Sequence, residues 1–147
     1  MPIMIHMRTR AKDYGARDVH RFVDYVLPQA GNNPVQIAHA AGWGGVDDST
    51  LAALGAFADA IEAQRGRFDH VWFDLAAVRK KDTPASDRAK LVALIRRIGP
   101  AHFLPASDWP FSRDMAHSYG EYILACRLRV LSGRPYEEMW LLRDQLS

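Results

Sequence analysis

The sequence has few of the features that mark secreted, membrane-spanning or nucleic-acid-binding proteins. It contains one cysteine in 147 residues, which excludes an internal disulfide and favours a reducing, cytoplasmic setting. No apolar run approaches the ~20 residues of a membrane span, and the amino terminus lacks the charged-then-apolar order of a signal peptide. The net charge is only +2, with acids and bases interspersed. We therefore expect neither a nucleic-acid nor a membrane partner.

What the sequence does contain is a regular alternation of short apolar runs with amphipathic segments. Its size and its 48% apolar content are typical of a single domain, over residues 1–147. The apolar runs predict strands over residues 2–7, 34–39, 70–78 and 102–106. Helices are predicted between them, the first stopping at Pro28, the second capped by residues 48–50, and the third opening at Thr83 and ending near Gly99.

Strict alternation of strand and helix is typical of a parallel sheet with helices packed outside it. Residues 1–111 supply three strand–helix units and the last strand, and residues 112–147 are predicted to form carboxyl-terminal helices. Consecutive strands joined by right-handed crossovers lie side by side, so we expect an α/β fold of four consecutive units. A doubly wound open sheet is the alternative.

Polar residues fall where the predicted strands end, which is where parallel α/β folds place their reactive sites. In chain order they are His6 with Arg8 and Arg10 beyond it, His39, Asp74, and Ser107 with Asp108. Histidines and carboxylates from separate strand ends could converge on one point. The other histidines at strand beginnings and on the first helix are expected to be structural; these are His20, His70 and His102.

Two imidazoles and a carboxylate suit a divalent metal, because catalytic zinc commonly keeps three protein ligands and one open position for water. Such a metal would make that water a good nucleophile near neutral pH. Each residue also has an ordinary alternative. Either histidine could be a hydrogen-bonded core residue, and Asp108 could be a cap at a turn that Pro110 enforces.

Residues beyond these strand ends are candidates for substrate binding. Arg8 and Arg10 could clamp a substrate carboxylate in a fork geometry, although exposed loop arginines are the commoner case. The glycine-rich segment "GWGG" (42–45) matches no complete phosphate-binding motif. Its glycines would let the backbone turn tightly beneath a ligand, with Trp43 as a wall or lid.

The segment "ASDWP" (106–110), after an apolar strand, resembles the last-strand signature of the amidohydrolase superfamily. The likeness is to the branch of metal-dependent hydrolases and decarboxylases related to aminocarboxymuconate semialdehyde decarboxylase. "PIMIH" resembles the branch's fifth strand, "PVQIAHAAGWGG" its sixth and "HVWFDLAAV" its seventh. The resemblance implies that His6 is a metal ligand, that His39 polarises water or substrate, and that Asp108 is both metal ligand and proton acceptor. Zinc is the metal we expect.

The resemblance also implies the carboxyl-terminal half of a (β/α)8 TIM barrel, strands five to eight, because family members are barrels of about 250 residues. The paired histidines of the family's first strand have no counterpart here. A fragment, a product of a misplaced start and a genuine half-barrel all stay open. Either a homo-oligomer or a separate amino-terminal half would complete the barrel.

The function expected from the resemblance is metal-dependent hydrolysis or decarboxylation, a hydrolase or lyase activity, on a small carboxylated substrate. Two alternatives stay open. One is a metal-independent lactonase, in which arginines and histidines bind a dicarboxylate and Asp108 activates water. The other is a catalytically inactive half-barrel that binds a partner half.

Overall fold

The computed structural model describes residues 1–8, 13–78 and 83–104, together with Ala106 and Asp108. The carboxyl-terminal helices predicted over 112–147 lie outside the described residues. Within them, strands and helices alternate as the sequence predicts. In chain order the elements are β1 (Ile3–Ile5), α1 (Ala16–Arg21), β2 (Val35–Ile37), α2 (Asp48–Ala63), β3 (Val71–Asp74), α3 (Ala85–Ile98) and β4 (Phe103–Leu104).

The four strands form one parallel sheet in the order β1-β2-β3-β4. Ile3 pairs with Val35 and Val35 with Val71, so the first three strands start level with one another. Phe73 of β3 pairs with Phe103 of β4. The predicted parallel sheet in chain order is thus confirmed. Its order does not reverse between β1 and β4, whereas a reversal defines the doubly wound alternative.

The two faces of the sheet have different environments, because successive side chains of a strand point to opposite faces. Ile37 and Phe73 are fully buried in the same hydrophobic cluster as the apolar residues of all three helices. On the other face Met4 is 70% exposed, and its neighbours in register, Gln36 and Trp72, are half-buried. The described helices therefore cover one face of the sheet.

Helix α2 is the central element of the helical layer, in contact with both α1 and α3. It begins where the Asp47 side chain accepts a hydrogen bond from the backbone N–H of Thr50 at 2.8 Å, an ordinary N-cap. Its Phe57 ring packs edge-on against Phe73 with the centroids 5.0 Å apart, and Phe73 stacks on Phe103 at 5.4 Å. These rings connect the helical layer to the last strand.

Several predicted boundaries differ from the structure. Strand β1 spans only Ile3–Ile5 of the predicted residues 2–7, β4 begins at Phe103 and not at residue 102, and the N-cap of α2 is Asp47 and not one of residues 48–50. The strands β2 and β3 end at Ile37 and Asp74, short of the predicted residues 39 and 78, because the chain turns sharply at the carboxyl edge. The helical path of α1 continues past Pro28, through a π-helical turn and then a 3₁₀ turn that ends at Ala30. Pro28 is tolerated because it lies in the first positions of that 3₁₀ turn, where a missing N–H does no harm.

In the described ranges, no helix combines the length and the apolar character needed to cross a membrane.

Candidate functional site

The four parallel strands all end on the same side of the sheet, which is called the carboxyl edge here. Several of the predicted site residues lie there. His6 directly follows β1, Asp74 is the last residue of β3, and Asp108 lies four residues beyond β4. His39 lies in a short 3₁₀ turn, Ala38–Ala41, that follows β2. Histidines and carboxylates that are far apart in sequence thus meet at the same edge.

His6, His39 and Trp43 form a chain of ring contacts at this edge. The His6 ring lies edge-on to that of His39 and also to that of Trp43, with the centroids 4.9 Å apart in each pair. His39 is buried, whereas Trp43 is 50% exposed. The contacts place the half-exposed indole of Trp43 beside the His6 imidazole; its role as a wall or lid stays a prediction.

His39 is held in a backbone conformation that L residues rarely adopt. Its φ is 55° and its ψ 36°, and Ala40 and Ala41 follow with φ of 50° and 62°. Each left-handed non-glycine residue costs roughly 1–2 kcal/mol, so neighbouring contacts must hold this turn in place. One contact is the hydrogen bond from the Gly42 N–H to the His39 carbonyl at 2.8 Å, and another is the bond from the Tyr14 hydroxyl to the Ala41 carbonyl at 2.7 Å.

The two nitrogens of the His39 ring have different surroundings. Nδ1 lies 2.8 Å from the carbonyl oxygen of Ala76. Since a carbonyl can only accept, Nδ1 must carry the proton, and in the neutral ring Nε2 then has a free lone pair. Nε2 points toward Asp108, with 3.7 Å between it and Oδ1. Two acceptor atoms therefore face each other, an arrangement that a shared proton or a cation would stabilise.

Asp108 reaches this position from a left-handed backbone conformation, with φ of 61°. Aspartate and asparagine tolerate that conformation better than most residues. Its side chain is 27% exposed, against 10% for that of His39, so solvent or a ligand can approach the pair from the Asp108 side. The predicted turn at Trp109 and Pro110 lies outside the described residues.

Arg8, predicted to clamp a substrate carboxylate, is bound to a carboxylate of the chain itself. Its Nη1 lies 2.6 Å from Asp47 Oδ2 and 3.4 Å from the Thr50 hydroxyl. Burial acts to raise the pKa of Asp47, but hydrogen bonds from Thr50 and Arg8 outweigh it and hold that pKa below its ordinary value. Arg8 therefore ties the end of β1 to the start of α2. Arg10, its predicted companion, lies outside the described residues.

Glycines 42, 44 and 45 shape the loop that carries Trp43, for two different reasons. Gly44 and Gly45 have φ of 94° and 81°, where a side chain would strain the backbone. Gly42 has an ordinary φ of −102° but no room, since a Cβ there would lie 2.8 Å from the Thr50 hydroxyl oxygen. The sequence predicts tight turning in this loop but not this packing against α2.

The histidines expected to be structural lie away from this edge. His70 and His102 precede β3 and β4 at the opposite edge of the sheet, and His102 Nδ1 contacts the Val71 carbonyl at 2.8 Å. His20 is exposed on α1. None of the three can reach the strand ends that carry His6 and His39.

The donors at the edge match a zinc site in type but not in number. Imidazole nitrogen and carboxylate oxygen are ligands of catalytic zinc, which commonly has three protein ligands. Over residues 1–8, 13–78 and 83–104 with Ala106 and Asp108, no group of three or more histidine, cysteine or acidic side chains is arranged to hold a metal ion. His6 and Asp108 are suitable donors, and a third would have to join them.

Sequence reasoning missed the residues that hold His39 in place. The Ala76 carbonyl and the Tyr14 hydroxyl leave no motif in the sequence, because any residue has a carbonyl and a tyrosine in a loop has no special pattern. Asp74 stands out in the sequence as a polar residue where the third strand ends, but nothing in the sequence indicates that it binds the His39 backbone. Comparison with protein-family models, with curated proteins and with solved structures finds no match to this chain.

Proposed function

We propose that this chain carries the acid–base half of a hydrolase or decarboxylase site of the amidohydrolase type, acting on a small carboxylated substrate. Two features support the proposal. The strand-end motifs resemble those of the amidohydrolase superfamily, and four parallel strands in chain order with helices on one face are compatible with half of a (β/α)8 barrel. A second copy of the chain, or a separate amino-terminal half, would close that barrel.

The observation that carries the proposal is the pairing of His39 with Asp108. The Ala76 carbonyl keeps the proton on Nδ1, so Nε2 is free to accept another one, and Nε2 lies 3.7 Å from the Asp108 carboxylate. Nε2 and the Asp108 carboxylate both lie on the side of the His39 ring that solvent can approach, because the Asp108 side chain is 27% exposed. Such a pair suits general acid–base catalysis, which contributes about 100- to 10,000-fold in rate.

In hydrolysis, Asp108 accepts a proton from the attacking water as the water oxygen bonds to the substrate carbonyl carbon. The proton moves to His39 Nε2, and the imidazolium is stabilised by the Ala76 carbonyl on one side and by Asp108 on the other. His39 then returns the proton to the leaving oxygen as the carbon–oxygen bond breaks. In decarboxylation no water attacks: the bond between the substrate carbon and its carboxylate breaks, carbon dioxide leaves, and that carbon takes a proton that His39 Nε2 has picked up from solvent.

His6 and Asp108 are the residues that would hold a metal at this site. The chemistry that a bound divalent metal supplies is the activation of water near neutral pH. His39 stays free for proton transfer, since its Nδ1 is bound to the Ala76 carbonyl. Trp43 supplies an apolar wall beside His6. Arg10 is the candidate group for the substrate carboxylate, since Arg8 is already bound to Asp47.

A metal-independent lactonase is a second candidate, and the same pair favours it. His39 and Asp108 already face each other, so the two side chains can activate water between them as a base and its partner. The effect of a chelator on turnover separates the two candidates.

Asp108→Asn tests the proposal, because asparagine tolerates the left-handed backbone and keeps the volume of the side chain while losing the charge. The matched control is Asp69→Asn, at an exposed acid on the opposite edge. Zinc chloride binding is measured by calorimetry. Turnover is measured on a panel of mono- and dicarboxylated lactones and unsaturated carboxylic acids, with and without chelator.

We expect Asp108→Asn to lower turnover about 100- to 10,000-fold with its folding unchanged, and Asp69→Asn to behave like the wild type. Turnover that a chelator abolishes supports the metal-dependent enzyme, and turnover that survives supports the lactonase. Equal rates for wild type and Asp108→Asn would refute the catalytic pair. A wild type that neither binds zinc nor turns over any member of the panel would refute both enzymes and leave the inactive half-barrel.

A further inference from the structure

Asp74 is a buried carboxylate next to the candidate site that no step of the proposed chemistry uses. It ends β3 and is only 3% exposed. A buried carboxylate is costly unless hydrogen bonds compensate its charge, so its contacts indicate what it does.

Three donors surround this carboxylate. Oδ1 accepts hydrogen bonds from the backbone N–H of His39 at 2.9 Å and from that of Ala76 at 3.1 Å. Oδ2 accepts a bond from the Gln36 side chain at 2.9 Å. Two of the three donors therefore belong to the residues that set the position of the His39 ring.

The contacts close a small loop of hydrogen bonds. Asp74 Oδ1 holds the His39 backbone in its left-handed turn, and the same oxygen holds Ala76, whose carbonyl accepts the proton of His39 Nδ1. Both the main chain of His39 and the partner of its ring thus depend on one atom. Removing that atom takes away one of the bonds that hold the strained His39 turn, beside those of Gly42 and Tyr14, and the bond that fixes the backbone of Ala76 beneath Nδ1.

We infer that Asp74 is a positioning residue, which fixes the His39 imidazole in its Nδ1–H form so that Nε2 is presented to Asp108. The inference deepens the proposed function, since it explains why one nitrogen of His39 is available for proton transfer. Asp74 itself acts through its hydrogen bonds and does not meet the substrate, because it is buried behind the His39 turn.

The tautomer of His39 can be read directly by NMR, from the ¹⁵N shifts and long-range ¹H–¹⁵N couplings of its ring. Asp74→Asn keeps an acceptor at Oδ1, and the Gln36 amide can turn to accept from the new NH₂ group. Asp74→Leu removes both acceptor oxygens and keeps the branching and the number of side-chain heavy atoms. Gln36→Leu is the control, because it removes one of the three hydrogen bonds to Asp74 and leaves both bonds of Oδ1.

We expect a single Nδ1–H form in the wild type, in Asp74→Asn and in Gln36→Leu. In Asp74→Leu we expect an exchange-averaged mixture of the two tautomers. Where a turnover assay exists, Asp74→Leu should lower kcat about 100-fold, the usual cost of a misplaced catalytic group, and Asp74→Asn should restore most of it. Restoration by the uncharged residue would identify hydrogen bonding, not charge, as the role of Asp74.

A folded Asp74→Leu protein whose His39 keeps the Nδ1–H form would overturn the inference. If Asp74→Leu does not fold, the wild type decides. The Nε2–H form in the wild type overturns the inference, and the Nδ1–H form with a His39 amide protected from exchange supports it. The tautomer is read without substrate, so loss of the proposed enzyme activity and loss of the positioning role are separate results.

Discussion

Replacing Gly42 with alanine should destabilise the protein and disturb the turn that carries His39. The added Cβ would lie 2.8 Å from the Thr50 hydroxyl oxygen, 3.0 Å from the Thr50 methyl carbon and 3.0 Å from the His39 carbonyl oxygen. Thr50 is fully buried and its hydroxyl is already bonded to Asp47 at 2.8 Å. It has little freedom to move aside, so the neighbouring backbone must shift.

The expected loss is the difference between two effects. Overpacking of a well-packed interior costs about 1–3 kcal/mol, while alanine lowers the entropy of the unfolded chain and returns about 0.4–1 kcal/mol. The φ of −102° adds no strain for alanine. At the middle of these two ranges the net loss is about 1.3 kcal/mol. Gly55 lies inside α2, and a Cβ there would have no atom within 4 Å. Gly55→Ala should therefore raise the free energy of unfolding by about 0.5–1 kcal/mol.

Urea unfolding of wild type, Gly42→Ala and Gly55→Ala measures both effects with one chemical change. The two variants should move in opposite directions from the wild type. A Gly42→Ala protein as stable as the wild type or more so would contradict the close approach of the loop to α2, and with it the way His39 is held.

Two further predictions concern Tyr14 and the open face of the sheet. Burial, with a smaller contribution from Asp18, raises the pKa of Tyr14 well above its ordinary value of 10.0. In the unfolded chain the hydroxyl therefore ionises at a lower pH than in the folded protein. The stability that Tyr14 contributes is present below about pH 10 and is lost as the pH rises above that value. Alkaline unfolding followed by circular dichroism should therefore show a weaker pH dependence for Tyr14→Phe than for the wild type, and identical curves would contradict the burial of the Tyr14 hydroxyl. The exposed Met4 and Leu104 on edge strands β1 and β4 predict self-association, since open parallel edges with apolar side chains are unstable in water. Light scattering that shows a compact monomer at micromolar concentration would refute it.

The sequence by itself determined the order of strands and helices, because the period of apolar residues differs between the two. Helix α3 begins directly after Pro84 and ends directly before Gly99, as these two residues predict. Parallel pairing in chain order also follows from the alternation, since a helix between strands leaves few other connections. The presence of His6, His39 and Asp108 at one edge follows from that topology.

Only the tertiary structure decided what these residues contact. Arg8 has the sequence features of a substrate clamp, yet Asp47, 39 residues away in sequence, binds it. The left-handed turn at His39 has no signature in the sequence, because alanines 40 and 41 would ordinarily favour other conformations. Two long-range hydrogen bonds hold that turn, one from the His39 N–H to the Asp74 carboxylate and one from the Tyr14 hydroxyl to the Ala41 carbonyl. Such bonds depend on how the loops fold over the sheet, which local propensity does not record.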